Sequence, residues 1–207
     1  MTTSKQNILE SIRRNRPAPT ELPDLQRTWT TYPDPRAKFI EMVEAVGGRV
    51  IAATNQVDLN EQLLRLPHVS AAEKVASLVE GVGTPNVDWT SVHAPHDLAN
   101  VDVAILPGQI GVAENGAVWC TDRDISYRVL YFLCQHLVLV VSAVAIVDHM
   151  HSAYERIATT QKNGKPTFSE PEFGVFISGP SKTADIEQQL VIGAHGPRSL
   201  TVCLLDQ

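Results

Sequence analysis

The run His136-Leu-Val-Leu-Val-Val-Ser142 decides the fold class of this 207-residue chain. Its apolar side chains follow one another without the alternation that marks a strand with one face in water. A continuous apolar run of this length is expected for a strand that other elements cover on both faces. Such strands are typical of parallel sheets flanked by helices.

Further strand and helix signals alternate on both sides of this run. A helical stripe lies between Pro35 and Gly47 and consists of Phe39, Met42, Val43 and Val46. Helical patterns also occupy residues 58–66, 148–160 and 183–193, and strand patterns occupy residues 49–54, 101–106, 109–114, 117–121, 173–178 and 199–205. This alternation with short links predicts one α/β domain with a mixed, mainly parallel sheet.

Residues 68–100 allow two interpretations. Val75, Leu78, Val79 and Val82 have helical spacing, whereas His68 to Ala71 could form a strand. The pattern does not decide between them.

The chain divides into a lead segment, residues 1–33, and a main domain, residues 34–207. Residues 1–16 are predicted to form a short amphipathic helix with Ile8, Leu9 and Ile12 on one face. The stretch from Arg16 to Pro35 holds five prolines and no apolar period, which is typical of an extended connector.

Charge and hydropathy exclude several classes of protein. The formal net charge is −6, so a nucleic-acid-binding surface is not expected. The first residues lack the apolar stretch of a signal peptide. The longest apolar run, Leu137 to Ile146, is too short to span a bilayer. We therefore expect a cytoplasmic protein without a membrane span; the sequence leaves oligomerisation open.

The cysteines predict no disulfide framework and no metal centre. Cys120, Cys134 and Cys203 lie far apart in apolar surroundings, and the chain has no C-x-x-C motif. The pairs His93/His96 and His149/His151 have no further ligand at a spacing that would complete a site. We expect three structural thiols and no metal or other cofactor in this chain.

Glu114 is the first candidate catalytic residue. It follows an apolar strand and precedes Asn115-Gly116, the strongest two-residue hairpin signal. A partly buried carboxylate at such a turn suits a general base or a nucleophile. The alternative is a solvated acid before an ordinary hairpin turn.

A second candidate site follows the strand near Phe176. Gly179 permits a close turn, Ser181 or Thr183 can cap a helix, and Lys182 adds positive charge beside its free N–H groups. A helix that begins near Thr183, with Asp185 in its first turn, would offer an anion-binding site at the carboxyl end of a strand. The alternative is an ordinary capped helix.

A third candidate site is the link Gly193-Ala-His-Gly-Pro-Arg198. His195 could serve as acid, base or hydrogen-bond donor, and Arg198 could bind an anion. A histidine in a loop is also a common structural donor.

The strings GVAENGAVW and ISGPSKTADIEQQLVIGAHGPRSL resemble the LUD-domain family of lactate utilisation protein C-like (LutC/YkgG-like) proteins. The resemblance runs from about Asp34 to Leu205. Ala113-Glu114-Asn115-Gly116 stands where many members have Ala-Glu-Thr-Gly, and the segment after Trp119 lacks their Gly-rich, Arg-containing stretch. Both departures indicate a divergent subgroup.

The resemblance implies a fold similar to the ribose-phosphate isomerase, glucosamine-phosphate deaminase and CoA-transferase group. It also implies a part in the oxidation of L-lactate to pyruvate, beside two partner proteins that carry the iron–sulfur clusters. The chain would then be a non-cluster subunit or accessory protein of an L-lactate-oxidising complex. A small anionic substrate would bind between Glu114 and the loop from Gly179 to Asp185, with His195 and Arg198 nearby. Asn115 and Gly116 would contact this substrate as well.

Two alternative functions stay open. Glu114-Asn115-Gly116 resembles the Glu-Asn-Gly motif of CoA-transferases, in which the glutamate forms an acyl anhydride and then a CoA thioester. The chain could thus be a stand-alone enzyme acting on an acyl-CoA or a phosphosugar. It could also be a ligand-binding or assembly module without catalysis.

Overall fold

The computed structural model describes residues 3–21, 23–24, 28–123, 125–159, 161–162, 165–166, 173–184 and 190–206. Its α-helices are α1 (Ser4–Arg14), α2 (Pro35–Ala45), α3 (Gln56–Leu64), α4 (Pro67–Ser70), α5 (Leu130–Leu133) and α6 (Met150–Thr159). Three short 3₁₀ turns lie at Trp89–Ser91, Pro95–Leu98 and Ala143–Ala145. None of the helices in these ranges is long and apolar enough to cross a membrane.

A five-stranded parallel sheet forms the centre of the fold. Its strands are β1 (Arg49–Ala53), β2 (Val75–Ser77), β3 (Val103–Pro107), β6 (His136–Ser142) and β13 (Ser199–Leu205). Their order is β1-β13-β6-β3-β2, and every pair is parallel. The decisive run is thus the middle strand, with Leu137 to Val141 at most 8% exposed.

A second, four-stranded sheet extends from the carboxyl ends of the central strands. It contains β4 (Ile110–Val112), β5 (Ala117–Thr121), β7 (Ile146–Val147) and β10 (Gly174–Ile177) in the order β10-β5-β4-β7. Only two residues separate β3 from β4, and the 3₁₀ turn at 143–145 separates β6 from β7. Since β4 and β7 are parallel, their carboxyl ends lie side by side. Small hairpins are formed by β8 (Gln161–Lys162) with β9 (Lys165–Pro166) and by β11 (Lys182–Ala184) with β12 (Leu190–Ile192).

Local sequence explains why α2 forms where it does. The Asp34 side chain accepts a hydrogen bond from the Ala37 N–H, and Pro35 occupies the first helical turn. Phe39 and Val43 are fully buried against the central sheet and the hairpin. The predicted helix and its end at Gly47, whose φ is 83°, are confirmed.

The helix predicted over residues 183–193 is wrong. Thr183 instead pairs with Val191 in the antiparallel hairpin of β11 and β12, while residues 185–189 lie outside the described ranges. Leu190 and Ile192, in the second strand of this hairpin, are 61% and 52% exposed. Here β-branched side chains and backbone pairing override a weak helical period.

Two smaller predictions also need correction. In the ambiguous region, residues 75–77 form strand β2, and Pro67–Ser70 forms a helical turn where a strand was considered. The hairpin at Asn115-Gly116 forms, but Val112 pairs with Ala117, so its loop has four residues rather than two.

Candidate functional site

Glu114 lies at the carboxyl end of β4, next to the carboxyl end of β7. Its backbone N–H donates to the carbonyl of Asp148, at 2.9 Å. Its exposed carboxylate accepts a hydrogen bond from the Met150 N–H, also at 2.9 Å, and so caps the first turn of α6. Ligands commonly bind outside the carboxyl ends of neighbouring parallel strands, so this corner is the candidate site that the fold favours.

Asn115 and Gly116 hold the loop in place through contacts with other parts of the chain. The Asn115 side chain accepts a hydrogen bond from the Ala117 N–H, and its carbonyl accepts one from the Ser178 hydroxyl at 2.8 Å. Gly116 has a φ of 64° and packs against α2, where an added Cβ would lie 2.7 Å from the Val43 nitrogen. Only glycine suits that backbone and that space.

The Glu114 corner contains side chains that belong to none of the three candidate sites predicted from the sequence. Asp148 accepts a hydrogen bond from the Tyr32 N–H at 2.7 Å, and Trp29 stacks on His151 with 3.6 Å between ring centroids. His149 accepts a hydrogen bond from the Ser152 N–H through Nδ1, which places the proton of a neutral ring on Nε2. An apolar strand followed by Asp148-His-Met-His151 was the signal that could have indicated them.

Within the described ranges, no three His, Cys, Asp or Glu side chains converge as a metal site would require. The corner instead combines carboxylate acceptors with imidazole donors. Such a set can hold a small polar molecule and accept a proton from it.

The residues of the second candidate site lie near α2 and have structural partners. Gly179 is buried with a φ of 72°, and a Cβ there would lie 2.5 Å from the Val46 carbonyl oxygen. The Lys182 ammonium donates to that same carbonyl and so caps the carboxyl end of α2. Ser181 pairs through its backbone with Pro197 and Gly193.

No helix begins at Thr183, because that residue belongs to β11, and Asp185 lies outside the described residues. The helix N-terminus on which we based anion binding is therefore not formed by residues 179–184. Anion binding by Ser181 and Lys182 themselves stays a prediction.

His195 and Arg198 are exposed on the loop that precedes β13. Arg198 donates its backbone N–H to the Gln135 carbonyl and lines an open polar groove of about 700 Å³ with Lys74 and Asp102. These residues precede β13, β6, β2 and β3, so the groove lies at the amino-terminal edge of the central sheet. Glu114 lies instead at the carboxyl ends of β4 and β7, in the second sheet.

Two histidines that the sequence analysis missed meet at that amino-terminal edge. The rings of His68 and His136 stack with 4.4 Å between centroids, and His136 Nδ1 lies 2.8 Å from the Ser199 hydroxyl. Burial lowers the pKa of both imidazoles, and the other histidine lowers that of His68 further. Their separation in the sequence gave no signal of this contact.

The cysteines are buried and form no disulfide, as predicted. Burial raises the pKa of the Cys134 and Cys203 thiols to about 12 and that of the Cys120 thiol further still. Since the thiolate is the reactive form, all three are structural thiols.

Comparisons with known proteins identify relatives of this chain. The family model described as the LUD domain matches residues 68–205. Lactate utilization protein C of Geobacillus thermodenitrificans is 35% identical over 116 residues, which are 56% of this chain and 44% of that protein. Lactate utilization protein C of Bacillus subtilis is 32% identical over 119 residues, 56% of this chain and 48% of that protein. These alignments therefore span about half the length of the curated relatives.

A solved structure resembles the fold. The crystal structure of a DUF162 family protein from Deinococcus radiodurans superimposes with a TM-score of 0.58 and covers 82% of this chain and 98% of that one. Its sequence identity is 18%, so the likeness concerns the fold alone. It agrees with the α/β architecture that the sequence predicted.

Proposed function

Since this chain belongs to the LUD-domain family, we propose that it takes part in lactate utilisation, as a non-cluster subunit or accessory protein of an L-lactate-oxidising system. The observation that carries this proposal is the similarity to proteins named lactate utilization protein C, at 32–35% identity over more than half of this chain.

Partner proteins would supply the iron–sulfur clusters in this proposal. The three cysteines of this chain are buried core residues with raised pKa values, which is unlike the thiolate ligand set of a cluster. Electrons from lactate would then pass to clusters in the partners. The role of this chain would be to bind the small anionic substrate or to hold the complex together.

The Glu114 corner is the site that we assign to the substrate in this proposal. The Glu114 carboxylate would accept the proton of a hydroxyl group, and His149 and His151 would donate hydrogen bonds to a small hydroxy acid. Lys182 remains a candidate for holding the anion, but it would first have to leave the Val46 carbonyl. Arg198 lines the groove at the amino-terminal edge of the central sheet, so an anion bound there would be separate from the Glu114 corner. The segment with Trp29 and Tyr32 covers this corner and would have to allow entry.

Affinity purification of the tagged full chain from its native host grown on lactate tests the assembly. Recovery of cysteine-rich iron–sulfur proteins would support the proposal. Recovery of the chain alone, under conditions in which such proteins are present, would contradict it.

Growth on lactate tests the site. A host that lacks the native gene should grow on lactate with the wild-type chain and with Glu61→Gln, and slowly with Glu114→Gln. Glu61 is an exposed glutamate on α3, and Glu61→Gln removes the same charge away from the site. Slow growth with Glu114→Gln alone would therefore be due to the position of Glu114 and not to the loss of one negative charge. Equal growth of both variants would remove Glu114 from the site.

The exposed carboxylate in Glu-Asn-Gly favours a second candidate function, a CoA-transferase-like enzyme. Glu114 would attack an acyl-CoA, form an acyl anhydride with release of CoA thiolate, and then react with that thiolate to give a glutamyl-CoA thioester while the acyl group leaves as a carboxylate. If this function is correct, the purified chain alone should turn over its substrate, and Glu114→Gln should abolish that turnover. The same two results are expected if the substrate is a phosphosugar. Lactate growth retained in both Glu114→Gln and Lys182→Ala would favour a non-catalytic module.

A further inference from the structure

Helix α1 packs on none of the other residues that the structure describes. The Thr3 hydroxyl accepts a hydrogen bond from the Gln6 N–H, and the Gln6 side chain accepts one from the Thr3 N–H, which together make a complete capping box. Ile8, Leu9 and Ile12 share one face, yet they are 58%, 41% and 61% exposed, and no residue of the helix is buried. A helix of this length is marginal in water unless its apolar face packs on something.

An apolar groove of about 580 Å³ lies between α6 and strand β10. Tyr154 and Ile157 form its helical wall, and Trp119 and Phe176 form its sheet wall. The rings of Trp119 and Phe176 lie 4.6 Å apart, and Tyr154 meets Phe176 at 5.7 Å. Tyr154 is 58% exposed, so the groove presents aromatic surface to a partner.

The chain between α1 and the groove is already tied to α6. Trp29 stacks on His151, which is one helical turn before Tyr154 and on the same face of α6. The 14 residues from Asn15 to Thr28 can extend over about 46 Å, whereas the whole of α6 is about 15 Å long. The connector is therefore long enough to place α1 on the groove of its own chain.

The effective concentration of the tethered helix favours that placement. A connector of this length gives the tethered helix an effective concentration in the millimolar range. A second copy of the chain would have to match that concentration to compete.

We infer that α1 docks in the groove between α6 and β10 of its own chain, with Ile8, Leu9 and Ile12 against Tyr154, Ile157 and Phe176. This inference does not depend on the proposed function. It gives the lead segment a specific place on the domain, with Trp29 as its fixed point.

Cysteine cross-linking in the full chain tests the docking. Ser11→Cys on α1 and Glu155→Cys on α6 supply two exposed thiols, and the native thiols are buried. With a short bismaleimide, we expect an intramolecular product whose yield does not change with protein concentration. Adding Leu9→Asp should slow its formation about tenfold, as expected for the loss of one buried leucine.

The matched control is Asn7→Asp, which adds the same charge on the opposite face of α1. It should leave the cross-linking rate unchanged. Equal rates for all three proteins, or equal slowing by Asn7→Asp and Leu9→Asp, would overturn the docking of the apolar face. A product that is mainly a dimer and grows with concentration would overturn docking within one chain.

Discussion

The carboxylate of Glu114 accepts a hydrogen bond from the backbone N–H of Met150, with 2.9 Å between Oε2 and N. The residue that the sequence analysis selected for chemistry therefore also stabilises the start of α6. Because α6 carries His151 and one wall of the apolar groove, a change at Glu114 can act through structure as well as through reactivity. Substitutions there must separate the two effects.

Glutamine and alanine at position 114 separate them. The amide oxygen of Glu114→Gln can still accept from the Met150 N–H, whereas Glu114→Ala removes the acceptor. We expect Glu114→Ala to lower the free energy of unfolding by about 1 kcal/mol, and Glu114→Gln to lower it by less than about half of that, as measured by urea denaturation. Equal losses in the two variants would contradict the assigned hydrogen bond. With stability preserved, any loss of lactate growth in Glu114→Gln would report on chemistry.

Gly116→Ala should be strongly destabilising. The φ of 64° is unfavourable for alanine, and the new Cβ would lie 2.7 Å from the Val43 nitrogen and 2.8 Å from the Met42 carbonyl carbon. Both neighbours are helix backbone, so the loop has to move, at a cost of about 2 kcal/mol or more in unfolding free energy.

Gly81→Ala is the matched control for that prediction. Gly81 also has a positive φ, 72°, but its Cβ would meet the end of the Gln56 side chain, which can turn away if it gives up its hydrogen bond to the Glu80 carbonyl. We expect a loss of about 1 kcal/mol, close to the cost of the backbone conformation alone. If Gly81→Ala were as damaging as Gly116→Ala, contact with α2 would not be what constrains the loop.

The hairpin shows which part of this site the sequence could predict. Asn115-Gly116 between two apolar runs indicated antiparallel strands correctly, because turn chemistry and strand periodicity are local properties. The length of the loop was not predictable in this way, because packing of Gly116 on α2 and the bond from Glu114 to α6 involve distant residues. The central strand β6 was also predictable, because its apolar run is recognised from consecutive residues without knowledge of what packs on it.

Lys182 is expected to contribute through the carboxyl end of α2. Its ammonium donates to the Val46 carbonyl, where a positive charge also interacts favourably with the helix dipole. Lys182→Met keeps the length of the side chain and removes the charge, and should lower the unfolding free energy by about 0.5–1 kcal/mol. Lys182→Arg keeps the charge and should retain most of this contribution to the unfolding free energy.

Thermal or urea unfolding of Lys182→Met and Lys182→Arg, with and without added lactate, measures the contribution of the Lys182 charge to stability. A stabilisation by lactate that is present in the wild type and absent only in Lys182→Met would show anion binding in place of the capping role. The sequence analysis could not separate these roles. Lys182 is 136 residues away from its acceptor along the chain, and the local pattern suggested a helix where a hairpin forms.

Acid should destabilise the fold through the stacked pair His68 and His136. Burial lowers the pKa of both rings in the folded protein from their ordinary value of 6.5. Nearby positive charge lowers these pKa values further, since Arg49 acts on His68 and Arg198 acts on His136. The Asp102 carboxylate partly offsets the effect of Arg198 on His136. The Nε2 atom of His68 is buried without a hydrogen-bond partner among the described residues, so a proton there would have no acceptor.

The direction in which stability changes with pH follows from the protons that each state binds. Above pH 6.5 both states hold these rings neutral, and below it the unfolded chain binds protons that the folded chain does not. The free energy of unfolding should therefore fall as the pH drops from about 7.5 to about 5. The carboxylates with lowered pKa, namely Asp58, Asp88 and Asp97, lose their contribution only as the pH falls below their ordinary value of 3.8.

His68→Phe provides the decisive comparison, because phenylalanine keeps an aromatic ring on His136 and cannot take a proton. Urea denaturation at a series of pH values should give a shallower decline for His68→Phe than for the wild type, with the two curves separating further as the solution becomes more acidic. The remaining slope would report His136, whose bond to Ser199 is kept. Parallel curves would show that His68 takes up its proton equally in both states, and His68 would then have no part in the acid sensitivity of the fold.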